Sequence, residues 1–210
     1  MKLKLALTPA ALNATGLASA VAYSGGGYAL GAAGPADALG HLVTIAGIAA
    51  TNHSGKTFTI TGTDADGIAL TDTIAGPNGA VTVTSTYHFA TVTSVTVSAT
   101  TGADTFNIGW SAVAVTQTVV TDWRENQMQI SLALVITGTV SVTVQHTLDN
   151  VRDVTQPDKL NWLPHSTLAA KTASADGNYA YPITAARMLV NSVTAGATVA
   201  FYILQGMSSA

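Results

Sequence analysis

The chain contains no cysteine, which removes disulfide frameworks, thiolate catalysis and Cys-ligated zinc from any account of how it folds or works. Charge is almost as scarce, at 9% of 210 residues against roughly a quarter in an ordinary soluble domain. Eight Lys and Arg stand against eleven Asp and Glu, too few cations to neutralise a phosphate backbone, so nucleic acid is not an expected partner. Long apolar runs are missing as well: no window reaches the roughly 18 uninterrupted apolar residues that a spanning helix needs, and no membrane partner is expected. Yet 48% of the residues are hydrophobic and the net charge is only -3, a composition that folds rather than stays disordered. With so few charges, the surface must consist of Ser, Thr, Asn, Gly and Ala or be covered by other subunits, and weak charge repulsion favours association.

The amino terminus imitates a signal peptide, with Lys2 and Lys4 ahead of an apolar stretch that ends Ala18-Ser19-Ala20. Pro9, Asn13, Thr15 and Gly16 interrupt that stretch, and Leu3, Leu5 and Leu7 alternate with period two, which predicts a strand instead. Past residue 40, short alternating runs separated by turn residues predict an all-β chain built from β-sandwich-like modules. Thr57-Phe58-Thr59-Ile60-Thr61 and Ala80-Val81-Thr82-Val83-Thr84 each place apolar side chains on one face and threonines on the other. Asp64-Ala65-Asp66-Gly67 and Gly76-Pro77-Asn78-Gly79 are turn signals. They predict strands 57–63, 68–75 and 80–86 as a meander, followed by strands within 89–99 and 104–110.

This reading divides the chain into residues 1–112, an irregular N-terminal arm plus a first β module, and residues 113–210, a second β-sandwich module. Strands are expected in the second module at 113–120, 128–136, 139–147, 186–194 and 197–205. Residues 9–40, rich in Ala and Gly around Ser24-Gly25-Gly26-Gly27, read as a short helix or an extended arm that orders against a neighbour and that the modules fold without, and Ala/Gly loops inside a sandwich are an equally economical account. The connection 149–177, with Pro157 and Pro164, is long enough to be a contact-making loop.

Motifs for catalysis, cofactors or metals do not assemble from the sequence. Ser54-Gly55-Lys56-Thr57 resembles the end of a phosphate-binding loop, but Ala50 stands where its first glycine belongs and a strand pattern follows instead of a helix. Asp64 and Asp66 could begin a calcium cage, which needs six to eight oxygens; a hairpin turn capped by Asp is the simpler reading. Histidines 41, 53, 88, 146 and 165 show no metal-ligand spacing, and no Gly-x-Ser-x-Gly elbow is present. Asp122 and Glu125, the latter the sole glutamate, share one polar loop and read as solvated. Asp149, Asp153 and Asp158 surround Arg152 and read as surface ion pairing. Trp110 continues an alternating run and belongs in a core, whereas Trp123 and Trp162 lie in loops beside charges. Those two, with Tyr28 of the arm, are the candidate partner contacts, since exposed aromatic rings anchor interfaces and stack on sugars.

The stretch from Thr57 through Asp64-Ala65-Asp66-Gly67 and Thr71-Asp72-Thr73-Ile74-Ala75-Gly76-Pro77-Asn78-Gly79 to Phe89-Ala90-Thr91-Val92-Thr93-Ser94-Val95 resembles a β module of tailed-bacteriophage structural proteins. The C-terminal half is similar to another phage pattern, in Leu148-Asp149-Asn150, Trp162, Pro182-Ile183-Thr184-Ala185-Ala186-Arg187 and the closing Ile203-Leu204-Gln205-Gly206. What the resemblance implies is a non-enzymatic virion protein that decorates the capsid or serves the head-tail or tail assembly, with copies of itself and other virion proteins as partners. The alternative is a receptor-binding module of a tail fibre, in which the loop tryptophans recognise host surface glycan.

Overall fold

A computed structural model of the chain describes residues 1–124, 129–151 and 157–206. Two compact units form, one from residues 12–114 and the other from residues 1–11 together with 115–210. The first eleven residues therefore fold with the second module rather than the first. The strands in chain order are β1 (Lys2–Leu7), β2 (Asn13–Ala22), β3 (Gly27–Tyr28), β4 (Gly40–Gly47), β5 (Thr57–Thr63) and β6 (Ala69–Ala75). They continue with β7 (Thr82–Phe89), β8 (Thr91–Val97), β9 (Thr105–Val115), β10 (Val119–Val120) and β11 (Ile130–Thr137). The remainder are β12 (Val140–Thr147), β13 (Leu163–Pro164), β14 (Ala175–Tyr179), β15 (Ala185–Val193) and β16 (Thr198–Gln205). The all-β expectation stands.

In the unit of residues 12–114, β3, β8, β5 and β6 form one sheet in that order, while β2, β9, β4 and β7 lie in another. Alternation explains the facing: Phe58 and Ile60 of β5 are fully buried and the neighbouring threonines are not. The turn between β5 and β6 is capped by Asp64, whose Oδ1 accepts from the Asp66 and Ile68 amides at 2.9 Å, with Gly67 at φ 77°. That is the hairpin reading of Asp64 and Asp66. Gly62 is required where β5 meets β8, because a Cβ there would lie 1.9 Å from the Thr91 carbonyl oxygen. The expected meander breaks after β6: β7 pairs with β4 in the other sheet. Asp72 secures that crossover, its carboxylate accepting from the Thr73, Thr86 and Tyr87 amides.

Residues 9–40 are not an irregular arm. β2 pairs with β9 through two register shifts, and Leu17, Tyr28 and Leu39 are buried. Tyr28 stacks on Phe58 with centroids 5.8 Å apart and meets Phe106 edge-on at 5.4 Å. Its hydroxyl pairs with Thr101 Oγ1 at 3.1 Å, and burial outweighs that bond in raising the phenol above its ordinary range. Tyr28 as a partner contact is thus corrected, because its ring is core. Removal of residues 1–40 would take the edge strand β1 from one unit and the buried Leu17, Tyr28 and Leu39 from the other, so that segment is not separable from the folded modules.

The other unit packs the sheet β1-β16-β11-β14 with a second group, in which β15 pairs with β12 and β10 and β12 pairs with β13. β1 lies antiparallel to β16 from Lys2 against Leu204 to Leu7 against Val199, which makes the amino-terminal alternation a strand. The expected 113–120 strand is instead the end of β9 and the two-residue β10. Within the connection 149–177, β14 pairs with β11; its sequence Ala-Asp-Gly-Asn-Tyr carries one buried apolar side chain, Tyr179, and so lacks a readable period.

Candidate functional site

Three loops meet at one end of the second unit, and hydrogen bonds hold the described residues of each beside one another. The loop after β10 is held by Thr121, whose amide donates to the Thr184 carbonyl at 3.0 Å and whose hydroxyl donates to the Ile183 carbonyl. Gln205, 4% exposed at the end of β16, then clamps the next residue. Its Oε1 accepts from the Asp122 amide at 3.1 Å and its Nε2 donates to the Asp122 carbonyl at 2.8 Å. The loop after β12 turns on Thr147, whose hydroxyl accepts from the Asp149 amide at 3.1 Å. The loop before β15 docks on it, with Thr184 Oγ1 donating to the Thr147 and Asp149 carbonyls at 2.9 and 2.6 Å.

Between these loops lies an open groove of about 500 Å³, lined by Trp123, Arg124, Leu148, Asn150, Pro182, Ile183 and Thr184. Its walls are half apolar and half hydrogen-bonding. Trp123 is 48% exposed and Leu148 60% exposed, while the Arg124 guanidinium sits 4.8 Å from the indole centre. Such a volume suits a small ligand or one or two rings of a larger one.

Of the aromatic residues expected to meet partners, only Trp123 opens on this groove. Trp162 folds back: the Arg187 guanidinium lies 4.3 Å from its ring centre, and Arg187 in turn donates to Asp158 Oδ1 at 2.6 Å and Gln145 Oε1 at 2.8 Å. Asp158 is thereby a buried partner of β15 and not part of a surface cluster. Arg152, Asp153 and Glu125 lie outside the described residues. Asp149 accepts from the Asn161 backbone and side-chain amides at 2.8 and 3.1 Å, which pins the start of the long connection to its middle. Arg124, Leu148, Asn150, Pro182 and Thr184 carry no sequence signal for a shared groove. They are brought together by strand pairing between distant segments.

Four histidines serve the fold. His41 is buried with Nδ1 2.9 Å from the Ser111 carbonyl and Nε2 2.9 Å from Asp37 Oδ2, so both ring nitrogens are used in holding the fold. Ala36 and Ala38, at φ 59° and 62°, flank that aspartate in the left-handed region. His53 accepts from Lys56 Nζ at 3.0 Å and donates to Asp104 at 2.9 Å. Hydrogen bonds from Thr51 and then His53 hold the Asp104 carboxyl below its usual range. His165 accepts at Nδ1 from the Thr167 and Leu168 amides and donates from Nε2 to the Asn178 carbonyl, so both ring nitrogens are used. Among the described residues, no three His, Cys, Asp or Glu side chains gather as a metal site.

His146 titrates in a way that couples to stability. Its Nδ1 lies 3.2 Å from the hydroxyl of Tyr179, a phenol that burial raises above its ordinary range and keeps as the donor. Burial first, and the nearby His165 second, push the His146 imidazole below its ordinary 6.5. The folded chain therefore favours the neutral ring. This contribution is complete above about pH 6.5 and is lost as pH falls through that value toward the lower folded one. Urea midpoints measured across that range should fall more steeply in the wild type than in His146→Gln; parallel curves would show that another group carries the effect.

No family model, curated protein or solved structure matches the chain.

Proposed function

We propose that this protein is a non-enzymatic structural subunit that assembles in many copies, as a tailed-phage virion protein on the capsid or at the head-tail or tail assembly. The observation that carries the assembly part is the outward face of the sheet β1-β16-β11-β14. By register, Lys4, Tyr202 and Ala133 form one row across it and Ala6, Ala200 and Val135 the next. Val135 and Leu204 are each 49% exposed on this face, and a shallow depression of about 220 Å³ crosses the row of small side chains. A sheet face with exposed apolar and small side chains of this kind buries well against a second sheet.

Charge supports a second copy as the occupant. Lys2 and Lys4 line the β1 edge and Asp176, exposed on β14, lines the opposite edge. A two-fold axis parallel to the strands sets the lysines of one copy over the aspartate of the other, as an isologous interface requires. The resemblance in strand and turn motifs supports the virion setting, and the structural commitments of His41, His53, His146 and His165 support a non-catalytic role.

Light scattering of the full chain should give a defined oligomer. Val135→Asp, which places an unpaired carboxylate in the apolar row, should weaken association about 100-fold or more while leaving the circular dichroism spectrum unchanged. A wild-type chain that stays monomeric at about 100 µM, a concentration at which even weak specific association registers, would overturn the assembly reading.

A further inference from the structure

From the groove of the second unit we infer a saccharide-binding site, in which one pyranose ring packs against Trp123 and Leu148 while Arg124, Asn150 and Thr184 meet its hydroxyls. Three observations carry this. First, the backbone beside the groove is tied down on three sides. The Gln205 clamp on Asp122, the Thr121 bond to Ile183 and the Thr184 bonds to Thr147 and Asp149 hold residues next to the lining side chains. Backbone already held gives up little freedom on binding.

Second, the large apolar surfaces left in water stand beside polar groups. Trp123 and Leu148 are about half exposed, in a unit whose other tryptophan is folded onto Arg187. A sugar ring is apolar on its C–H faces and ringed by hydroxyls, so it matches an exposed indole with donors around it. A protein anchor would instead demand a closed apolar pocket from which water is excluded, and this groove is open with mixed walls.

Third, among the described residues the lining contains one cation, Arg124, and no carboxylate. The described acids beside it are turned to other work: Asp149 accepts from Asn161, and Asp122 Oδ1 accepts from the Arg124 amide at 3.3 Å. The Arg124 fork can take a vicinal diol or the carboxylate of a uronic acid, both of which present paired oxygens. Neutral and uronate sugars are thus two sources of one chemistry.

The test uses the full-length chain and the three indole N–H signals of its NMR spectrum, from Trp110, Trp123 and Trp162. Titration with a neutral glucan oligosaccharide and with an oligoglucuronate should move the Trp123 signal saturably with at least one of them, at a Kd of about 0.1–1 mM. Arg124→Gln should weaken binding about tenfold for the uronate and less for the glucan. Trp123→Ala should abolish binding without unfolding, since the loop is held through backbone atoms, and Leu148→Ser provides a second variant with the same expected loss. A Trp123 signal that does not move with either sugar up to about 10 mM would overturn the inference. So would saturable shifts confined to Trp110 or Trp162. The inference stands apart from the assembly reading, because no residue is shared between the groove and the outer sheet face: an oligomer that binds no sugar and a monomer that binds one separate the two.

Discussion

Arg187→Met is expected to destabilise the second unit by about 3–5 kcal/mol, because it strands Asp158 as a buried carboxylate without its cation. Arg187 and Asp158 have side chains only 8% and 5% exposed, and their 2.6 Å bond is out of reach of bulk solvent. The same guanidinium holds Gln145 and carries Trp162, so the cost reaches beyond the pair. The long connection between β12 and β15 is anchored over the sheet at this point, and its loss should be read in calorimetry as a lowered melting temperature. The double variant Arg187→Met with Asp158→Leu should regain most of the stability, since replacing both charges removes the desolvation penalty along with the attraction. A single-variant cost below about 1 kcal/mol would mean that the pair behaves as an exposed one.

Phe106→Ala should be comparably damaging in the first unit, at about 3–5 kcal/mol for a fully buried aromatic residue. Phe106 is 0% exposed and touches three rings: Tyr28 and Phe58 edge-on, each at 5.4 Å, and His53 at 5.3 Å. Removing it opens a cavity among ring side chains that belong to three different strands or turns and cannot collapse together. Phe106→Leu, which keeps much of the volume, should cost roughly half as much in urea unfolding. If alanine and leucine cost the same, the loss is of aromatic edge contacts and not of packing volume. Because His53 lies against Phe106, the alanine variant should also loosen the Lys56–His53–Asp104 chain.

What the sequence determined by itself is the local content of the fold. Period-two alternation names the inward side chains of a strand wherever one face is apolar, as Phe58 and Ile60 on β5 or Phe201 and Ile203 on β16 show. Turn chemistry is equally local, so Asp64 with Gly67 was legible as a capped hairpin. Both signals fail where the facing is set by a distant partner. β2 and β14 carry too few large apolar side chains to show a period, and their pairing is decided by β9 and β11.

Only the tertiary structure decided what the aromatic loop residues do. Tyr28 sits beside glycines in a segment that reads as an arm, yet Phe58 and Phe106, about 30 and 80 residues away, form the slot that buries it. Trp162 and Trp123 look alike in sequence. Arg187 claims the first, and the Gln205 clamp leaves the second facing a groove assembled from segments near 123, 148 and 183. The reason is physical: a residue's neighbours along the chain set its backbone and its face, while long-range register and crossovers set its neighbours in space.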